Sequence, residues 1–172
     1  MSLLDSLNLE GLTPAMLWSA LDPETRHSAA QTLYGSASAD DSGRLEADAA
    51  IAGALRFRPV AVRKLPLEKR VGYLLRAVRP DDSLATALLL ALHLGGRKTM
   101  LEAFLDELGI VHEAGAIKAD EFELPDAERT AAAVESLYER FPGEEVDVYL
   151  AALVAMDPET WSGLTGVLDR RR

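Results

Sequence analysis

The chain has 172 residues, 48% of them hydrophobic and 27% charged, a net charge of −10 and no cysteine. This length and apolar content suit one domain over residues 1–172 with a buried core, and exclude low-hydrophobicity disorder of the whole chain. The missing cysteine excludes disulfides, thiolate metal ligands and a cysteine nucleophile.

With 29 leucines and 27 alanines against few aromatic and β-branched residues, the composition predicts an all-α fold. The opening Met1-Ser2-Leu3-Leu4-Asp5 has no basic stretch, so no signal peptide is expected. Thr13-Pro14 and Asp22-Pro23-Glu24-Thr25 each place a cap residue before a proline and predict helices over 14–20 and 23–34. Gly35–Gly43 reads as a flexible loop. It is followed by a helix over 44–56 and a short one near 59–64. After Pro66, residues Leu67, Val71, Leu74, Leu75 and Val78 share one face of a helix over 66–79. Asp81-Asp82-Ser83 caps a helix over 83–94 that is apolar nearly all round and is expected in the interior. Met100, Leu101, Phe104, Leu105 and Leu108 define a helix over 97–108 closed by Gly109.

Ile110–Glu123 has no helical period and is expected to hold a hairpin fragment or a short helical turn. Ala127, Ala131, Val134, Tyr138 and Phe141 mark a helix over 125–140, stopped by Pro142-Gly143. A second all-round apolar helix is expected over 144–155. Asp157-Pro158-Glu159-Thr160 then repeats the earlier four-residue start for a helix over 158–168. The sum is about ten helices in antiparallel pairs. The longest apolar run, Leu84–Leu94, falls far short of the ~20 residues of a membrane span, so no membrane contact and a cytoplasmic location are expected.

Ala20–Leu33 aligned on Ala155–Leu168 gives six identities in fourteen. Leu21–Leu33, with its turn, Asp22-Pro23, Glu24, Arg26 and Ala/Leu helix, resembles the second half of a HEAT-type repeat. Leu65-Pro66 with Arg70 and Leu124-Pro125 with Arg129 are looser echoes, and the resemblance spans about a third of the chain. It implies helix pairs stacked as a curved, right-handed solenoid and a protein-binding role. The proline starts at 23, 66, 125 and 158 keep no single period, which leaves a compact multi-helical bundle as the other reading.

Charge is unevenly laid out. Residues 1–55 carry −6, residues 56–98 carry +7, residues 99–169 carry −14 and the tail Arg170-Arg171-Arg172 carries +3. The basic centre is the main candidate site, an anion surface for an acidic protein or a second copy of the chain. Its residues are Arg63, Lys64, Lys69, Arg70, Tyr73, Arg76 and Arg79, joined by Arg97 and Lys98. Lys69, Tyr73 and Arg76 form a row opposite the apolar face, Arg79 extends it, and Gly72 leaves room for a partner. The opposing readings are a solvated helix face and neutralisation by the acidic half of the same chain. Nucleic acid is disfavoured by the overall −10.

A second candidate is a small-molecule or phosphate-ester site, catalytic or not, built from Arg97, Lys98 and the His112-Glu113 loop. Gly95-Gly96 before Arg97 place backbone amides at a helix start there. The three histidines show no metal-binding spacing, so neither a metal site nor a cofactor is expected. His93 ends an apolar helix, where the dipole favours its protonated form, and reads as a satisfied core or cap residue. Asp120-Glu121-Phe122-Glu123 and Glu144-Glu145 read as solvated acids, and Trp18 and Trp161 as core anchors. No nucleophile elbow, P-loop or dinucleotide fingerprint is present, so a non-enzymatic interaction module leads.

Overall fold

The computed structural model describes residues 2–35, 41–118, 120 and 122–172. Most of the expected loop at 35–43, and Glu121 of the acidic run, lie outside the described residues. The helices are α1 (Leu3–Ser6), α2 (Pro14–Ala20), α3 (Pro23–Gly35), α4 (Ser42–Leu55), α5 (Pro59–Arg63) and α6 (Leu67–Ala77), then α7 (Asp82–Gly96) and α8 (Lys98–Leu108). After the hairpin strands β1 (His112–Glu113) and β2 (Ala116–Ile117) come α9 (Ala127–Arg140), α10 (Gly143–Met156) and α11 (Ser162–Arg171). The fold is all-α, with the ten expected helices and the short α1 besides.

Capping chemistry sets several of these bounds. The Thr13 hydroxyl accepts from the Met16 amide at 3.3 Å and opens α2. Asp22 accepts from the Thr25 amide at 2.9 Å and from the Thr25 hydroxyl at 2.6 Å. Asp81 accepts from Leu84 at 2.9 Å. Each bond from an amide satisfies a backbone donor that the first helical turn leaves open, an effect of about 1 kcal/mol. Gly109 closes α8 in the left-handed region at φ +72, as expected. Two starts shift. Asp126 rather than Pro125 caps α9, accepting from the Arg129 amide at 2.9 Å. In the second Asp-Pro-Glu-Thr copy, Asp157 accepts from Thr160 at 3.2 Å, but residues 158–161 form turns and the helix begins only at Ser162.

Two helices organise the layers. α7 packs on α2, α3, α4, α8 and α10, and α10 packs on α1, α2, α7, α9 and α11. α3 and α4 cover α6 on one side, while α9 lies between α8 and α11 on the other. Every residue of α10 from Val146 to Ala155 is buried, as its all-round apolar sequence predicts. α7 differs from expectation. Leu84, Leu88, Leu89 and Leu92 are buried, yet Leu90 is 41% exposed and borders a cavity. The α9 face is also rotated from the expected one. Thr130, Ala133, Val134 and Leu137 point inward, and Ala127 is exposed. Alanines at 131–133 give periodicity little to act on, and the Thr130 hydroxyl is held inside by the Pro125 carbonyl at 3.2 Å.

α1 and α11, the first and last helices, both pack on α10. The Leu3 amide donates to the buried Asp147 carboxylate at 3.1 Å, and the Arg172 guanidinium donates to the Leu7 carbonyl at 2.6 Å. The β1–β2 hairpin turns through Ala114 and Gly115, both with positive φ. It packs so closely on α8 that a Cβ at Gly115 would lie 2.9 Å from Leu101 Cβ. Among the described residues no helix is long and apolar enough to cross a membrane.

Candidate functional site

α6 is amphipathic. Val71 and Leu74 are buried against the core, and the opposite face carries Lys69 and Arg76, both exposed. Arg70 does not belong to that outer face. Its Nε donates to the Leu65 carbonyl at 3.1 Å, its Nη1 lies 3.4 Å from Asp48 Oδ2, and its guanidinium sits 5.2 Å over the Tyr34 ring. The Tyr34 hydroxyl donates to Asp48 Oδ1 at 2.9 Å. Asp48 is only 3% exposed, so Arg70 answers a buried carboxylate within the molecule and is spent on structure. Burial raises the Tyr34 hydroxyl pKa, and the adjacent Asp48 carboxylate raises it further. The room expected beside Gly72 is also taken. A Cβ there would come within 3.2 Å of Arg76 Nη2. Tyr73 is half-buried, edge-on to Phe57 at 6.2 Å, with the Arg76 guanidinium 6.0 Å from its ring centre.

The structure instead assembles a cleft at the C-terminal end of α6. Arg76, and Arg79 just beyond the helix, line it with Arg26 of α3, against Trp18, Leu75 and Val78. Its volume is about 620 Å³, and no carboxylate lines it. Among the described residues neither Arg26, Arg76 nor Arg79 forms an ion pair with a carboxylate. The end of α6 adds a favourable dipole for these cations, and three guanidinium forks offer paired donors to carboxylate or phosphate oxygens. Arg63, Lys64, Lys69 and Lys98 are exposed and likewise make no ion pair among the described residues. Arg26 is the residue that sequence reasoning missed. Its one signal is its place in the Asp22-Pro23-Glu24-Thr25-Arg26 helix start.

Arg97 lies in a different setting. It lines a cleft of about 790 Å³ whose other walls carry Asp22, Glu24, Glu144, Glu145 and Asp147. Its Nε is 3.8 Å from Glu145 Oε2, and its buried Nη1 has no hydrogen-bond partner among the described residues. Burial pulls the guanidinium pKa down, and Glu145 and Asp22 oppose that pull. Asp22 is itself held below the ordinary carboxylate range by the Thr25 hydroxyl and amide. An anion entering this cleft meets five acids. The cleft includes neither Lys98 nor His112, so the groups of the second candidate site do not share it.

His112 and Glu113 are occupied within the hairpin region. His112 Nδ1 accepts from the Gly115 amide at 3.2 Å, which places the ring proton on Nε2, donated to Asp106 Oδ1 at 2.9 Å. Glu113 pairs with Lys118 at 2.8 Å, and that bond holds its carboxyl below the usual range. Glu144 is exposed and Glu145 half-buried, while Asp120 and Glu123 are exposed.

His93 departs from the expectation. It is 3% exposed, and its Nδ1 bonds the Leu89 carbonyl at 2.8 Å. Burial outweighs the Leu89 carbonyl bond and, with the nearby Arg97 charge, pulls its pKa down to about 4, so the ring is neutral at pH 7. Only half of the imidazole is satisfied, because Nε2 is buried without a partner among the described residues. Such an orphan costs about 1–3 kcal/mol. Trp18 and Trp161 are buried, at 5% and 3% exposure, with Trp161 stacked on Phe104 at 6.2 Å. Among the described residues no group of three or more His, Asp or Glu is placed to hold a metal ion. The chain matches no protein-family model, no curated protein and no solved structure.

Proposed function

We propose that the chain is a non-enzymatic docking module that takes an acidic protein segment in the Arg26–Arg76–Arg79 cleft. The observation that carries this reading is the convergence of three guanidinium groups, none with a carboxylate partner among the described residues, on one cleft without acids. Charge-assisted hydrogen bonds contribute about 1.5–3 kcal/mol each, so three of them near the upper end of that range reach the ~8 kcal/mol of micromolar binding of a short acidic segment. Such a segment feels only the local field, because charges beyond about 8 Å are screened at physiological salt. A long polyanion would also meet the −14 of residues 99–169, which favours protein over nucleic acid. Exposed Lys69, Arg63 and Lys64 offer further positive charge on the same basic segment. The HEAT-like stretch Leu21–Leu33 contributes Arg26, and a docking role in a cytoplasmic setting suits that resemblance.

The test is fluorescence anisotropy with a fluorescein-labelled peptide rich in Asp and Glu. Micromolar binding that weakens with salt is expected, with loss in the Arg76→Glu/Arg79→Glu variant. Undiminished binding in that variant, or a stronger grip on single-stranded RNA of equal charge, would overturn the assignment.

A further inference from the structure

A second cavity lies where α7, α8 and α10 meet the hairpin and the turn before α11. It measures about 410 Å³, within the roughly 300–1,000 Å³ typical of small-molecule pockets. Its walls are mostly apolar, with Leu90, Leu105, Leu153 and Met156 facing the rings of Phe122 and Trp161. The exposed side of Leu90, unexplained by helix packing, is one edge of it.

His93 is set into this apolar wall. The Leu89 carbonyl 2.8 Å from Nδ1 has no proton to give, so Nδ1 carries the ring hydrogen. Nε2 is therefore a bare lone pair, buried and unpartnered among the described residues. Leucine or phenylalanine at this position would fill the wall without leaving an acceptor stranded. The neighbouring ring of Tyr149, 5.3 Å away, also lines the cavity. Charge narrows the ligand further. Asp120 and Asp157 border the cavity and repel anions, and a neutral imidazole cannot pair with a carboxylate.

We propose that this cavity binds an uncharged, largely apolar, ring-sized molecule whose single hydroxyl or N–H donates to His93 Nε2. The inference is independent of the docking cleft, which shares no lining residue with this cavity.

Two naphthalene probes test it on the full chain by titration calorimetry at neutral pH. 2-Naphthol has the apolar body and the donor, and 2-methoxynaphthalene has the body alone. The wild type should prefer 2-naphthol by about tenfold, the size of one buried hydrogen bond. His93→Phe should bind both probes equally. In wild-type protein the ¹⁵N resonance of His93 Nε2 should move on adding 2-naphthol and stay put with the ether. Ala116→Trp, which keeps the imidazole and fills the cavity from β2, should lose both probes while still binding the acidic peptide; it also serves if His93→Phe fails to fold. No binding of either probe, a 2-naphthol preference that survives in His93→Phe, or unchanged binding in Ala116→Trp would overturn the proposal.

Discussion

Two clefts lie on opposite sides of the corner between α2 and α3. Trp18, Ser19, Pro23 and Arg26 face one, and Ala20, Leu21, Asp22, Glu24 and Thr25 face the other. Both contain arginine, but the first has three with no acid and the second has one among five carboxylates. In sequence, Arg79 and Arg97 belong to the same basic stretch. What separates them is α10, which brings Glu144, Glu145 and Asp147 to Arg97 from far along the chain. α6 repeats the contrast on a smaller scale, with Arg70 turned into Asp48 and Arg76 turned out. A cation becomes a docking group only where the remote elements packed beside it leave its field uncancelled.

Reversing the basic cleft tests this contrast most strongly. Arg26→Glu/Arg76→Glu/Arg79→Glu should lower acidic-peptide affinity by about a thousandfold in anisotropy, the loss of several charge-assisted bonds. Its melting temperature should fall only slightly, since the three groups hold no carboxylate partner among the described residues and give up only the Arg76 contact with the Tyr73 ring and a favourable helix-end charge. The same reversal in the acidic cleft should do the opposite. Arg97→Glu puts a half-buried charge beside Glu145 and should cost about 3 kcal/mol in urea unfolding, with peptide binding intact.

A third experiment reads a group outside both clefts. The His93 pKa is about 4 in the folded protein against an ordinary 6.5, so the unfolded chain takes up the proton first. Stability is then full above pH 6.5 and falls as the pH drops towards 4, by up to about 3 kcal/mol. Urea midpoints across that range should show the decline in wild type and a flatter profile in His93→Phe. The smallest effect is expected from Arg97→Met. It removes a desolvated cation whose nearest acid contact is 3.8 Å, and its unfolding free energy should stay within about 1 kcal/mol of wild type. A large loss there would mean that Arg97 binds its cleft together, and the contrast between the clefts would need revision.

The helices were legible because their signals are local. A cap such as Asp81, a row such as Met100–Leu108, or the all-apolar run of α10 is complete within about three turns of one helix. Even α1 carries a readable sign, since Ser2 and Asp5 cap each other reciprocally at 2.9 and 3.3 Å, but its four residues give periodicity nothing to count. The site was legible only in part. Arg76 and Arg79 could be picked out by their row on α6, whereas Arg26 is one charge on another helix whose nearness to them is a fact of packing. Arg70 reads as one more outward cation for the converse reason, because Asp48 and Tyr34, which engage it, lie on α4 and α3. The stranded nitrogen of His93 is beyond any sequence pattern, since it depends on every donor near it failing to reach.

The placement of the two tryptophans gives the molecule a pair of separate optical reporters. Trp18 borders the arginine cleft and Trp161 the imidazole cavity. With one indole replaced by phenylalanine, the emission that remains belongs to a single chamber. Occupancy of either chamber can then be followed by intrinsic light alone, and any communication between them would show as one indole answering the other's guest.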